Sequence, residues 1–225
     1  MAPKAGPVSG GTLLTITSSG TVANFISSES LVCRFGNDET TYLPISPATW
    51  ITASKVQCLT PTVVSTTKAA IQVSNNGQDF TTTASSCGSS YSADCFMWYT
   101  EPAYSGVTSA TGSKVNVQHV LTLSGVNFCT DAAFCDVPTC VIYGGDRHER
   151  RPHSGKSSTV VVSSGSSMTC TTPGELFLLN TGSLLVTVSF NRQQFDKAGA
   201  FALEGMTITN IHPSAGSTSG HTLVT

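Results

Sequence analysis

The opening run Pro3-Lys-Ala-Gly6-Pro-Val-Ser-Gly10-Gly11-Thr12-Leu13-Leu14-Thr15 returns without a gap as Pro213-Ser-Ala-Gly216-Ser-Thr-Ser-Gly220-His221-Thr222-Leu223-Val224-Thr225. A divergent copy lies between them. There Gly112 stands in the place of Gly6 and Gly216, and Val120-Leu-Thr-Leu-Ser-Gly125-Val-Asn-Phe128 supplies the alternation of a half-buried strand. A chain that repeats itself must use one structural unit more than once, and each full copy must close its own core. The copies divide the sequence into residues 1–101, residues 102–205 and the opening of a third unit over 206–225. The expectation is that the sequence belongs to a longer array. Met206–Thr225 is expected to dock on the second copy or on a free sheet edge of a neighbour.

Three further matches keep the same order in both full copies. Cys33-Arg-Phe35-Gly36 answers to Cys140-Val-Ile-Tyr143-Gly144, and Val56-Gln-Cys58-Leu-Thr-Pro61 to Met168-Thr-Cys170-Thr-Thr-Pro173. Val73-Ser-Asn-Asn-Gly-Gln-Asp-Phe80 answers to Val188-Ser-Phe-Asn-Arg-Gln-Gln-Phe195. The last pair reads as a hairpin turning at Asn76-Gly77 in one copy and Asn191-Arg192 in the other. Only 11% of residues are charged, and valine, serine, threonine and glycine dominate where a helical protein would carry alanine, glutamate and lysine. Short strands with turn signals every 8–12 residues or so define an all-β sandwich of roughly 100 residues per copy.

These motifs, taken together, resemble the immunoglobulin-like IPT/TIG module of plexins, scatter-factor receptors and fibrocystin-like surface proteins. The resemblance implies tandem sandwiches that act as stalks and binding modules. In the second copy Ser113-Lys-Val-Asn-Val-Gln replaces the glycine pair of Gly10-Gly11, a departure at its first turn. Rel-like transcription factors use the same module as a partner domain for DNA. A net charge of −2 and a cysteine-rich chain argue against that use here.

Cysteines occupy positions 33, 58, 87, 95, 129, 135, 140 and 170. Cys33 with Cys58 and Cys140 with Cys170 are expected to pair, because both copies carry cysteine at these matched places; the resemblance implies the same pairing. Each such bridge restricts the unfolded chain by about 3–4 kcal/mol on the entropic account. Cys87, Cys95, Cys129 and Cys135 have no counterparts between copies. Local bridges 87–95 and 129–135 are the simplest arrangement, and crossed bridges would tie the copies together. Disulfides place the chain on the cell surface or outside the cell, reached by the secretory pathway.

Chemistry is sparse. No nucleophile elbow, carboxylate pair, metal-ligand spacing or phosphate loop occurs, so neither enzymatic activity nor a cofactor nor a metal is expected. His119 reads as a sheet residue with satisfied hydrogen bonds. No apolar run reaches the ~18 residues of a membrane span, so no direct membrane insertion is expected. Two features suggest recognition. Arg147, Arg150, Arg151 and Lys156 cluster with His148 and His153 between the matched cysteines of the second copy, where an acidic glycan or an acidic protein face would fit. Tyr91 sits within the Cys87–Cys95 insertion, where a stapled loop presents an aromatic with its ordering entropy already spent. The function expected is therefore a non-enzymatic extracellular segment working through protein contacts or self-association in adhesion, as a receptor ectodomain or in a stalk. The alternative is a carbohydrate-binding module of a secreted glycan-active protein.

Overall fold

The computed structural model describes residues 1–18, 24–36, 43–81, 87, 95–109, 118–135, 138–144, 153–156, 159–172, 182–203, 212 and 215. The first copy contains β1 (Ala5–Pro7), β2 (Leu13–Thr17), β3 (Val32–Gly36), β4 (Ser46–Thr52), β5 (Lys55–Leu59), β6 (Thr67–Ser74) and β7 (Cys95–Tyr99). The second contains β8 (Ala103–Ser109), β9 (Val120–Val126), β10 (Thr139–Gly144), β11 (His153–Lys156), β12 (Val160–Ser164), β13 (Ser167–Thr171), β14 (Gly182–Ser189) and β15 (Asp196–Leu203). Among the described residues there is no helix.

The first copy is one sheet of order β1-β7-β6-β3-β4-β5-β2 that doubles back on itself. Strand β4 makes the fold: Ser46 and Pro47 pair with β3, whereas Ala48–Thr52 pair with β5. The two halves close on a core in which Leu14, Val56 and Cys58 from one side meet Phe35, Ile71, Phe96 and Trp98 from the other. Phe35 and Phe96 both meet the Trp98 ring edge-on, and the indole Nε1–H donates to Pro61 O at 3.0 Å, so this large buried side chain leaves no polar atom unpaired.

Gly10 and Gly11 lie where the chain leaves β1, hydrogen-bonded to β7, and enters β2, hydrogen-bonded to β5. Their φ values of 76° and 73° belong to the left-handed region, and a Cβ on Gly10 would stand 2.7 Å from the Pro61 carbonyl carbon. The glycine pair read from the sequence thus serves the crossing from one facing layer of the doubled-back sheet to the other.

The second copy has two four-stranded sheets, β11-β10-β14-β15 and β12-β13-β9-β8. Strands β11 and β12 share between them the role that β4 plays alone, one pairing with β10 and the other with β13. Leu121, Leu123 and Met168 face Ile142, Leu184 and Val186 across the core. Bridges Cys33–Cys58 and Cys140–Cys170 each join the two facing layers of a sandwich, and the unmatched cysteines pair locally as Cys87–Cys95 and Cys129–Cys135.

The expected hairpin is complete in the second copy, where β14 and β15 flank the turn. In the first, Thr81 N–H donates to Val73 O at 2.9 Å, and among the described residues β6 pairs with β3 on one edge and, on the other, with β7, which follows the Cys87–Cys95 insertion. His119 is buried as a sheet-end residue, its Nδ1 3.0 Å from Ser109 Oγ and its N–H donating to Thr172 Oγ1.

Candidate interaction site at the joint between the copies

All five residues of β7 are buried. Phe96 and Trp98 turn into the first core, while Cys95, Met97 and Tyr99 join the cluster that contains the second core. A strand covered on both faces reads as an unbroken apolar run, as Phe96-Met-Trp-Tyr99 does. The Tyr99 ring meets Phe190 edge-on, and Phe190 also lies against Phe128. Tyr104 packs on Phe128 within the second copy. One apolar cluster therefore runs through the joint without a break.

The Cys129–Cys135 staple serves this joint. Within it, Asp131 O accepts the N–H groups of Phe134 and Cys135, forming a tight turn that fixes both side chains. Asp131 Oδ2 then takes Lys68 Nζ of the first copy at 3.0 Å, and the same ammonium lies 4.5 Å from the centroid of buried Phe134. The sequence marked the staple as a loop, but a lysine 63 positions upstream could not be matched to it by spacing.

A second polar contact comes from the β14–β15 turn. Asn191 Oδ1 accepts the N–H groups of Gln193 and Gln194 and the Ser189 hydroxyl, which locks the turn with Arg192 at φ 63°. From this frame Gln193 reaches the edge of β2. Its Oε1 accepts Leu13 N–H and its Nε2 donates to Leu13 O, both at 2.8 Å, so one side-chain amide replaces a neighbouring strand. Asn191 Nδ2 donates to Thr12 Oγ1, and that hydroxyl donates to Gln194 Oε1.

Acidic and phenolic groups gather on the adjoining side. Glu101 Oε1 accepts Ser9 N–H, and its backbone O accepts Asn127 Nδ2. Slight burial pulls the Glu101 carboxyl upward, but its hydrogen bonds, led by that to Ser9, outweigh this and hold it below the usual range. Asp196 is raised, first by burial and then by the charge of Glu101. Burial, with the nearby Asp196 charge second, pushes the Tyr99 and Tyr104 phenols far above their usual value. The Tyr104 hydroxyl is the buried side-chain polar atom left without a hydrogen-bond partner among the described residues.

Arg147, Arg150, Arg151 and Tyr91 lie outside the described residues, as does the side chain of Lys156, whose backbone pairs with Val141 in β11. Exposed aromatics among the described residues include Trp50 on β4, Tyr143 on β10 and Phe195 in the β14–β15 turn, three separate elements. No group of three or more histidine, cysteine, aspartate or glutamate side chains able to hold a metal occurs among the described residues.

Comparison with known protein families matches residues 1–91 to the IPT/TIG domain. No curated protein matches the chain.

Proposed function

We propose, from the match of residues 1–91 to the IPT/TIG domain, that this chain is a non-enzymatic segment of a larger extracellular repeat protein, serving adhesion, a receptor ectodomain or a stalk. IPT/TIG domains mediate protein–protein interactions in extracellular or signalling proteins. In this reading the second sandwich is a further IPT/TIG unit over 102–205, and 206–225 opens a third. The observation that carries the proposal is the joint. A continuous apolar cluster, an ion pair and a strand-capping amide favour a fixed angle between the two sandwiches, and a fixed angle lets one partner be met by two units at once. Four disulfides support an oxidising location, with no free cysteine among the described residues.

The test is direct binding of the intact chain, followed by surface plasmon resonance, to itself and to a panel of purified ectodomains, with a glycan array in parallel. Saturable protein binding is the expected result. Binding confined to the glycan array would replace this proposal with the carbohydrate-binding alternative.

A further inference from the structure

The turn that closes the internal joint has a twin. Asn76 Oδ1 accepts the N–H groups of Gln78 and Asp79 and the Ser74 hydroxyl, the same three bonds that Asn191 makes with Gln193, Gln194 and Ser189. Gly77 at φ 74° stands where Arg192 has φ 63°. Asn76 Nδ2 bonds Asp79 Oδ2 at 2.7 Å, as Asn191 Nδ2 bonds Gln194 Oε1. Sequence alignment and hydrogen bonding therefore agree position by position across residues 74–79 and 189–194.

The two turns differ in what covers them. Asn191 is 6% exposed because Thr12 sits on it, and Gln193 is spent on Leu13. Asn76, Gln78 and Asp79 are exposed, and the Gln78 side chain bonds nothing among the described residues. The first copy thus holds a preformed cradle: an amide N–H beside a carboxylate for a threonine hydroxyl, and a carboxamide for the backbone of the next residue. A cleft of about 670 Å³, lined by Phe25, Ile26 and Val73 among others, opens beside it.

What fits the occupied turn is the edge Thr12-Leu13 that follows Gly10-Gly11. The sequence carries the same Thr-Leu pair a second time, as Thr222-Leu223 after Gly220-His221, in the segment 216–225 that lies outside the described residues. We propose that the Asn76–Asp79 turn binds the Thr222–Leu223 segment of a second copy of this chain, joining copies head to tail. The hydroxyl of Thr222 would take the place of Thr12, and the Gln78 carboxamide would bond the backbone N–H and C=O of Leu223. The link is heterologous, so it builds open chains and not closed pairs. Asn75 replaces Phe190, which removes the aromatic part of the internal joint and makes the intermolecular version the weaker and concentration-dependent one. The inference rests on the chain being a protein-binding segment and names its partner.

The test uses the full chain in sedimentation equilibrium, with Gln78→Ala to disable the turn and Leu223→Pro to remove the backbone N–H of the edge. Thr222→Val serves as a milder edge variant. The parent should associate with rising concentration, and each variant alone should associate roughly tenfold more weakly. Mixing Gln78→Ala with Leu223→Pro should restore association, but only as far as dimers, since each supplies the half the other lacks. If Gln78→Ala associates like the parent, the cradle is not the contact, although the chain remains a protein-binding segment. A parent that stays monomeric at millimolar concentration overturns the inference while leaving other ectodomain partners in place.

Discussion

Tyr99 and Phe190 meet edge to face, with ring centroids 5.8 Å apart and planes inclined by 71°. One closes the last strand of the first sandwich and the other opens the β14–β15 turn of the second, so this pair couples the two cores. Truncating Phe190 to alanine should cost about 3–5 kcal/mol. A double-mutant cycle with Tyr99→Leu, read by denaturant unfolding, should give a coupling of about 0.5–1.5 kcal/mol. Small-angle scattering of Phe190→Ala should require a wider range of interdomain angles than the parent; an unchanged range would mean that the polar contacts hold the joint alone.

Replacing Cys129 and Cys135 by serine should destabilise the chain by roughly 2 kcal/mol on the loop-entropy account for so short a bridge. The effect should concentrate at the joint, because Asp131 and Phe134 lose the turn that aims them at Lys68. Lys68→Ala in the parent should cost about 1 kcal/mol, since both partners of the ion pair are partly exposed. In the serine variant the same change should cost almost nothing. Chemical denaturation of the four proteins checks the difference.

The phenols at the joint set an alkaline limit. Tyr99 and Tyr104 have folded pKa values above the ~10 of an unfolded chain, so unfolding releases protons and stability should fall as the pH rises past that value. Of five tyrosines, these two should gain phenolate absorbance only on unfolding. At acid pH the carboxyls oppose each other. The contribution of Asp196 is complete below its unfolded pKa and is lost as the pH rises through its raised folded value. That of Glu101 is present above its unfolded pKa and is lost as the pH falls. Tyr104→Phe removes a buried hydroxyl that has no partner among the described residues and should raise stability by about 1 kcal/mol; a loss of similar size would show that the hydroxyl has a partner in solution.

Arg192 adopts a left-handed conformation that its counterpart Gly77 takes without a Cβ clash. Arg192→Gly should therefore stabilise the second sandwich by up to ~1 kcal/mol, with the Gln193 clamp intact. Thermal melts of the variant beside Gln193→Ala, which should lose about 1 kcal/mol, separate turn strain from edge capping.

The repeats made much of this legible. Matched cysteines at 33, 58, 140 and 170 lie on facing layers because every copy closes its core at the same places, and the Asn76 and Asn191 turns align because an Asx-type turn is written within a few adjacent residues. What escaped was non-local. The pairing of Lys68 with Asp131, and of Gln193 with Leu13, joins positions whose separation encodes nothing, and both depend on how two closed units sit together. Phe96-Met-Trp-Tyr99 did carry a signal of burial on both faces, in its lack of alternation, but that signal cannot say what covers the second face.

Strands β1 and β7 run parallel, with Ala5, Gly6 and Pro7 opposite Met97, Trp98 and Tyr99. The chain enters the first sandwich through one and leaves it through the other, so tension applied along the chain would pull them in opposite directions along their length. The hydrogen bonds between them are then loaded together in shear and not opened one after another as in a zipper. For a unit strung between others, that arrangement converts a few ordinary backbone contacts into a mechanical clamp placed where the force enters.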